Sequence, residues 1–254
     1  MTTKENMNTN KNPNSIEAEP ATASPKRLAR IAGIFYLLVG IFGGFAVGFA
    51  DPSIYIAGDA AAAAANIVAN PGFVRMTVVA HLLNETFFII TAMILYTLLQ
   101  HVNKSVARAM LVFVILAVGI MTLNTVFQFE ALQVATNVSY VTAFGAAGSN
   151  ALVLLLLDIQ HYGTLIAQIF FGLWLTPLGY LAYKSGLFPK ALGVVLVAAT
   201  VSYLVDVLAI FLVPDFGNQI HPFISIIPAI AEIWIVLYLL VIGVRTVKTN
   251  KHDA

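Results

Sequence analysis

The sequence predicts an all-α polytopic membrane bundle of six transmembrane helices, with short helices at its outer face. Composition gives the first indication, because 59% of the 254 residues are hydrophobic and only 10% are charged, whereas soluble domains are about a quarter charged. The second is a set of six apolar stretches, each close to the roughly 20 residues that cross a ~30 Å hydrocarbon core. The third is that nearly all Lys and Arg residues fall on one side of these stretches, as the positive-inside rule describes.

The predicted spans cover residues 28–50, 75–99, 109–129, 161–183, 191–213 and 223–244. Short polar segments at 100–108 and 184–190 connect them on one side, and longer segments at 51–74, 130–160 and 214–222 connect them on the other. A cleavable signal peptide is the main alternative for the first stretch. Its apolar run is longer than the ~7–15 residues of a signal core, so we predict a span there.

The outer connections contain further helical signals. Asp59 precedes an Ala-rich run at 60–69 that ends before Asn70 and Pro71, which predicts a short helix capped by the Asp59 side chain. Residues 149–160 include a run of leucines. They predict either an interfacial helix or an extension of the fourth span.

Basic residues predict the orientation of the bundle. Those that lie on one side of the six spans are Lys26, Arg27, Arg30, Lys104, Arg108, Lys184, Lys190, Arg245, Lys248 and Lys251, and Arg75 lies opposite. The positive-inside rule therefore predicts that both termini are cytoplasmic. We divide the chain into a disordered cytoplasmic tail at 1–25, a membrane domain at 26–247 and a second cytoplasmic tail at 248–254.

Charge and cysteine content restrict the partners. The net charge is only +1, so we expect no nucleic-acid partner. The chain has no Cys and therefore offers no disulfide, thiol nucleophile or thiolate metal site. The expected environment is the lipid bilayer, together with a membrane-protein partner or a second copy of the chain. Neither a cofactor nor a substrate can be named from the sequence.

Glycine and proline predict how the helices pack. Gly40, Gly44 and Gly48 recur every four residues in the first span, a pattern that lets a neighbouring backbone approach closely. We favour packing within the bundle over a dimer contact there. Pro177 and Pro228 lie inside the fourth and sixth spans, where each predicts a kink.

Polar residues at membrane depth predict a candidate site in the outer half of the bundle. An ionised side chain at the bilayer centre costs about 2.5–3.5 kcal/mol on insertion scales, so such residues should face the bundle interior and contact one another or water. His81 and Glu85 share one face of the second span, and Asp158 and His161 share one face of the fourth. The candidate cluster is His81, Glu85, Asn124, Asp158, His161, Tyr203, Asp206 and Glu232.

Three interpretations of this cluster remain open. We favour a hydrogen-bonded network that fixes helix packing in a structural or accessory protein. A metal-dependent intramembrane hydrolase is the alternative, with candidate ligands His81, Asp158, His161, Asp206 and Glu232. A small proton-coupled transporter comes last, because its expected inverted repeats are not visible. No catalytic residue is assigned under any of the three.

Several short motifs resemble a known family. They are Gly58-Asp59-Ala60, Leu157-Asp158-x-x-His161-x-Gly163, Phe170-Phe171-Gly172-Leu173, Leu178-Gly179-Tyr180, Lys184-Ser185-Gly186, Pro189, Leu192-Gly193, Tyr203-Leu204-Val205-Asp206 and Pro228…Glu232. Together they resemble domain-of-unknown-function family 4386, over residues 26–247. The resemblance implies six helical spans in a bacterial cytoplasmic membrane. It implies no established activity, substrate or catalytic residue.

Overall fold

The computed structural model describes residues 24–245, and this part of the chain folds entirely into helices, turns and short connections without a strand. The helices are α1 Pro25–Phe45, a π-helical turn Ala46–Ala50, α2 Asp51–Ile54, α3 Ala60–Ala69, α4 Pro71–Leu99, α5 Lys104–Thr136, α6 Val138–Leu173, α7 Leu175–Ser185, α8 Lys190–Leu212, α9 Pro214–Ile224 and α10 Ile226–Val241. The two predicted tails lie outside the described residues, apart from Ser24 and Pro25. There α1 begins, with the Ser24 hydroxyl as its N-cap.

Within residues 24–245, six segments are long and apolar enough to cross a membrane. They are Pro25–Ile54, Pro71–Leu99, Lys104–Thr136, Val138–Ser185, Lys190–Leu212 and Pro214–Val241. In space they form a closed ring, in which the neighbours follow the order α1, α4, α5, α6, α8, α10 and back to α1. This arrangement confirms the predicted all-α six-span bundle.

One end of the ring is filled by apolar packing, and we call it the basic end. The short helix α7 contacts α4, α5 and α8 there. Trp174, which precedes α7, is 1% exposed and meets the rings of Tyr36 and Phe88 edge-on. Arg30 donates to the carbonyl of Val241 at 3.3 Å, so the basic ends of the first and last spans lie together. The opposite end is called the far end.

At both prolines for which a kink was predicted, the helix is interrupted nearby. The fourth span breaks at Trp174, three residues before Pro177, and the sixth breaks at Ser225, three residues before Pro228. A proline lacks the N–H that would bond to the carbonyl four residues earlier, so the helix is weakest just before it. At the first break the Thr200 hydroxyl donates to the carbonyl of Gly172 at 2.9 Å.

The structure of the far end confirms two predictions from the sequence and corrects a third. Helix α3 is confirmed, with the Asp59 carboxylate accepting from the backbone N–H of Ala62 at 2.9 Å, and residues 149–160 extend the fourth span. The segment 214–222, predicted as a connection, is instead helical and forms most of α9. It folds back tightly against α8, because Gly217 has no Cβ and a Cβ there would lie 2.5 Å from the Ile210 nitrogen.

The prediction for the glycine stripe is wrong within this chain. Among the described residues, no atom lies within 4 Å of a Cβ built at Gly40, Gly44 or Gly48. Gly43, one position away, is the glycine in close contact, because its Cβ would lie 2.6 Å from the side-chain nitrogen of Asn84. Gly40 and Gly44 are exposed and instead line a cavity of about 290 Å³. A contact between two copies of the chain stays a prediction.

Candidate functional site

Two adjoining cavities occupy the centre of the ring. The outer cavity, of about 420 Å³, lies toward the far end and is lined in part by Asp51, His161 and His221. The inner cavity, of about 290 Å³, is lined by residues from all six spans, including Glu232. The two cavities share three lining residues, Val47, Thr164 and Gln168. A partly polar lining therefore extends from the far end to the middle of the bundle.

Glu232 is the acidic residue of the inner cavity. Its Oε1 accepts a hydrogen bond from the Tyr203 hydroxyl at 2.9 Å, and its Oε2 accepts one from the Tyr36 hydroxyl at 3.2 Å. The three side chains come from α10, α8 and α1. This contact brings together the predicted site residues Tyr203 and Glu232. It also includes Tyr36, which the sequence analysis did not select. Tyr36 lies one turn before Gly40 on the same face of α1, and this position could have indicated that it faces the bundle interior.

Asp51 is a site residue that the sequence analysis assigned to a connection. Its carboxylate lies 3.1 Å from His81 Nε2 and accepts from Gln128 Nε2 at 2.8 Å. It follows the π-helical turn Ala46–Ala50, whose extra residue shifts the helical register. His81 is 2% exposed, so this group joins three helices in a buried contact. Asp51 directly follows the apolar run of the first span, and this position could have indicated from the sequence that it is a site residue.

A third group lies at the rim of the outer cavity. The Tyr55 hydroxyl donates to Asp158 Oδ1 at 2.7 Å, and its ring stacks on His161 with the centroids 4.9 Å apart. Burial raises the pKa of the Tyr55 hydroxyl well above its usual value, and the hydrogen bond to Asp158 raises it further. The predicted pair Asp158 and His161 is thus bridged by a tyrosine from the segment between α2 and α3.

The fourth group depends on the fold-back of α9. His221 Nδ1 lies 2.8 Å from Asp206 Oδ2, with the Asp206 side chain 6% exposed and that of His221 46% exposed. Asn124 lies apart from this pair, with its Nδ2 3.5 Å from the Thr164 hydroxyl. It also packs directly against Gly163, where a Cβ would collide with the Asn124 amide.

Glu85 lies apart from these groups and lines neither cavity. It is 3% exposed, and neither of its carboxylate oxygens has a hydrogen-bond partner within the described part of the chain. The predicted residues are therefore distributed over separate groups. Across residues 24–245, no three His, Asp or Glu side chains are grouped so that they could hold a metal ion.

The charges that line the cavities are of one sign. Among the described residues that line them, Asp51 and Glu232 are acidic, two are histidines, and none is Lys or Arg. A buried charge requires a counter-charge or hydrogen-bonding partners. The lining therefore favours a neutral or positively charged guest over an anion.

These features define an all-helical membrane protein with six spans around a central cavity whose lining is mostly apolar with a few polar groups. The chain belongs to the family described as "Domain of unknown function (DUF4386)", whose sequence profile matches residues 31–243. The resemblance seen in the short motifs is confirmed.

A curated relative of the chain comes from an archaeon. The chain is 32% identical over 120 residues to an uncharacterized protein of Archaeoglobus fulgidus, a match that covers 47% of this chain and 58% of that protein. The chain thus spans little more than half the length of this curated relative. No solved structure matches the chain. Because the relative is archaeal, a bacterial source for this chain stays a prediction.

Proposed function

We propose that this membrane protein binds a small polar solute, which enters the central cavity from the far end. The observation that carries the proposal is that the two cavities adjoin and share the lining residues Val47, Thr164 and Gln168. Ligand sites are commonly apolar clefts of about 300–1,000 Å³ with a few polar groups, and the two cavities have this character. By the positive-inside rule, the far end faces the extracytoplasmic side.

The packing around the cavities supports binding over a purely structural polar network. Protein interiors are close-packed, and unfilled space removes van der Waals contacts. Gly40 and Gly44 nevertheless keep the wall of the inner cavity open. The Oε1 atom of Gln168, which lines both cavities, is buried without a hydrogen-bond partner among residues 24–245. A buried acceptor normally has a donor, and water or a bound solute in the cavities can supply one.

A structural or accessory role is the second candidate, and one observation favours it. The contact of Asp51 with His81 and Gln128 joins three helices, which is how a polar network fixes helix packing. No corresponding observation favours the metal-dependent hydrolase, because its candidate ligands lie in separate groups. Proton-coupled transport is a special form of solute binding that also requires a second, inward-open state.

The chain has no Cys, so single introduced cysteines test the proposal without background. We propose Thr164→Cys at the junction of the two cavities, with Ile41→Cys as the control because Ile41 is 53% exposed on the outside of the bundle. In sealed vesicles, a membrane-impermeant methanethiosulfonate reagent added to the extracytoplasmic side should modify Thr164→Cys but not Ile41→Cys. Failure to modify Thr164→Cys from that side, in protein that elutes as a folded species, contradicts the proposal.

A matched pair of glycine variants then tests whether the cavity is the route. No described atom lies within 4 Å of a Cβ built at Gly44 or Gly48, but only Gly44 lines a cavity. With the reporter cysteine placed in the inner cavity instead, as Phe171→Cys, Gly44→Leu should fill the space beside it and slow modification by roughly tenfold, whereas Gly48→Leu should change it by less than about twofold. Equal effects of the two variants contradict this route.

A further inference from the structure

We propose that the solute is a small organic cation, an ammonium with apolar substituents, and that its charge is held by Glu232 in the inner cavity. This inference rests on the proposed function above, because it requires a solute to enter the cavity. It specifies the charge and the chemical class of that solute, and it follows from three features of the inner cavity.

The first feature is the charge at the end of the route. Glu232 receives hydroxyl donors on both oxygens, from Tyr203 at 2.9 Å and Tyr36 at 3.2 Å. Burial disfavours the charged form of this carboxylate, and the two hydrogen bonds favour it, so a cation beside it is needed to complete its stabilisation. The hydrogen bonds leave it without a cationic partner, since neither cavity has a Lys or Arg among the described residues that line it. A guest cation completes the ion pair.

The second feature is the aromatic wall. Phe88, Phe171, Trp174 and Tyr203 all line the inner cavity, and Phe88 meets the ring of Trp174 edge-on. Aromatic faces attract ammonium groups, most strongly where water is excluded. Hydrated metal cations such as Ca²⁺ instead need six or more oxygen ligands, whereas one carboxylate and two phenols surround this position. The wall therefore fits an organic cation better than an inorganic one.

The third feature is the distribution of hydrogen-bond acceptors along the route. Asp51 stands at the outer cavity, Gln168 at the junction and Glu232 at the inner end. The Oε1 atom of Gln168 is buried and has no donor within the described residues. An ammonium N–H can donate to it. The inner volume of about 290 Å³ restricts the guest to a small molecule.

Three probes with the same apolar body and different charge test the inference: 2-phenylethylamine, 2-phenylethanol and 3-phenylpropionate. Each is added while Thr164→Cys is modified by a neutral thiol reagent in vesicles. The amine should protect the cysteine at concentrations at least roughly tenfold lower than the alcohol or the carboxylate, because only the amine carries a positive charge. Sodium chloride at the same ionic strength should give no protection.

A pair of carboxylate variants locates the effect. Glu232→Gln keeps the size of the side chain but removes its charge, and it should weaken protection by the amine at least roughly tenfold. Glu85→Gln is the matched control, since Glu85 is buried but lines neither cavity. It should change protection by less than about twofold.

The outcomes separate this inference from the function on which it rests. Protection by the alcohol or the carboxylate equal to that by the amine overturns the organic cation, as does equal protection by sodium ions or unchanged protection in Glu232→Gln. In each of these cases a reactive Thr164→Cys still supports a solute cavity. The probe series alone decides the matter if Glu232→Gln fails to fold, because it uses only the reporter protein. A Thr164→Cys protein that never reacts contradicts the proposed function itself.

Discussion

The contact between α7 and α8 in the basic half and the wall of the inner cavity use glycine in opposite ways. In the basic half, Gly179 and Gly193 bring α7 and α8 together, and a Cβ on either would lie 2.6 Å from the carbonyl oxygen of the other. In the far half, Gly40 and Gly44 face the inner cavity with no described atom within 4 Å of an added Cβ. The same residue type therefore closes a helix contact in one place and leaves a cavity wall open in the other, although Gly217 in the far half is also tightly packed, against α8.

The polar residues differ between the halves in the same sense. The main core cluster is apolar and surrounds Trp174 and α7, whereas the two carboxylate–histidine pairs lie toward the far end, beside a smaller apolar cluster around α3. A packed apolar half can hold the helices in place without the polar groups. The far half is then free to keep space and buried charge, at a cost in stability that the packed half offsets.

The largest expected effect is at the packed glycines. Gly179→Leu forces a side chain against the backbone of α8, which cannot shift without separating the two helices, so we expect a loss of about 3 kcal/mol or more. The measurement is the yield and thermal unfolding of purified protein in detergent. Gly44→Leu introduces the same side chain into open space and should unfold near the wild-type temperature. Equal unfolding temperatures for the two variants would break the comparison between the halves.

The next largest effect is expected at Asp51. Asp51→Ala leaves buried His81 and Gln128 without their shared acceptor, which should lower stability by about 2 kcal/mol. Asp215→Ala removes a carboxylate from an exposed position of α9 and should change stability by less than about 0.5 kcal/mol. Reversible unfolding in mixed detergent micelles measures both. Similar losses for both variants would show that the Asp51 contact adds nothing to the far half.

Glu85 should respond in the opposite direction. Its carboxylate is buried and has no hydrogen-bond partner within the described residues, so Glu85→Leu should raise stability by about 1 kcal/mol. Thermal unfolding measures the gain. Glu232→Leu is the contrast, because it removes the acceptor of two tyrosine hydroxyls and should lower stability. A loss on Glu85→Leu would mean that this carboxylate has a partner from outside the chain.

A smaller effect is expected at the tyrosines that contact Glu232. Tyr203→Phe removes one hydrogen bond of 2.9 Å and keeps the aromatic ring, so stability should fall by about 1 kcal/mol. Tyr180→Phe is the control, since Tyr180 is 40% exposed. Thermal unfolding compares the two. An unchanged midpoint for Tyr203→Phe would show that its hydroxyl does not hold Glu232.

The parts of the fold that local chemistry decides could be predicted. The six spans depend on apolar runs of sufficient length, helix α3 depends on the Asp59 cap, and the two breaks depend on Pro177 and Pro228. Each of these signals acts within a few residues along the chain. The same holds for the burial of His81 and Asp206, because a polar side chain within an apolar span avoids lipid.

The parts that depend on neighbouring helices could not be predicted. The sequence does not show whether a small-residue stripe faces another backbone, as at Gly179, or a cavity, as at Gly40. Asp51 was placed in a connection because its partners lie 30 and 77 positions away. The segment 214–222 is rich in polar residues and prolines, but packing of Gly217 on α8 holds it helical. Which helices contact each other depends on tertiary packing, and this could not be predicted from the sequence alone.

The smallest expected effect is spectroscopic and concerns Tyr55 at the rim of the outer cavity. Burial and the hydrogen bond to Asp158 raise the pKa of this phenol above its usual value of 10.0. The protonated form is favoured in the folded protein, so its stabilising contribution is fully present below about pH 10 and is lost only as the pH rises through the raised pKa. At about pH 11, wild type and Tyr55→Phe should therefore show the same phenolate absorbance near 295 nm.

Unfolding supplies the control for this measurement. In denaturant at the same pH, wild type should show one more ionised tyrosine than Tyr55→Phe, because the phenol then has an ordinary pKa. If the folded wild type already shows that extra phenolate, the Tyr55 hydroxyl is exposed to water and does not donate to Asp158. The rim of the cavity would then be open where the structure has it closed by the contact of Tyr55 with Asp158 and His161. The difference between the two halves would then be larger, because the far half would have one polar contact fewer than the structure indicates, whereas the packing of the basic half would be unchanged.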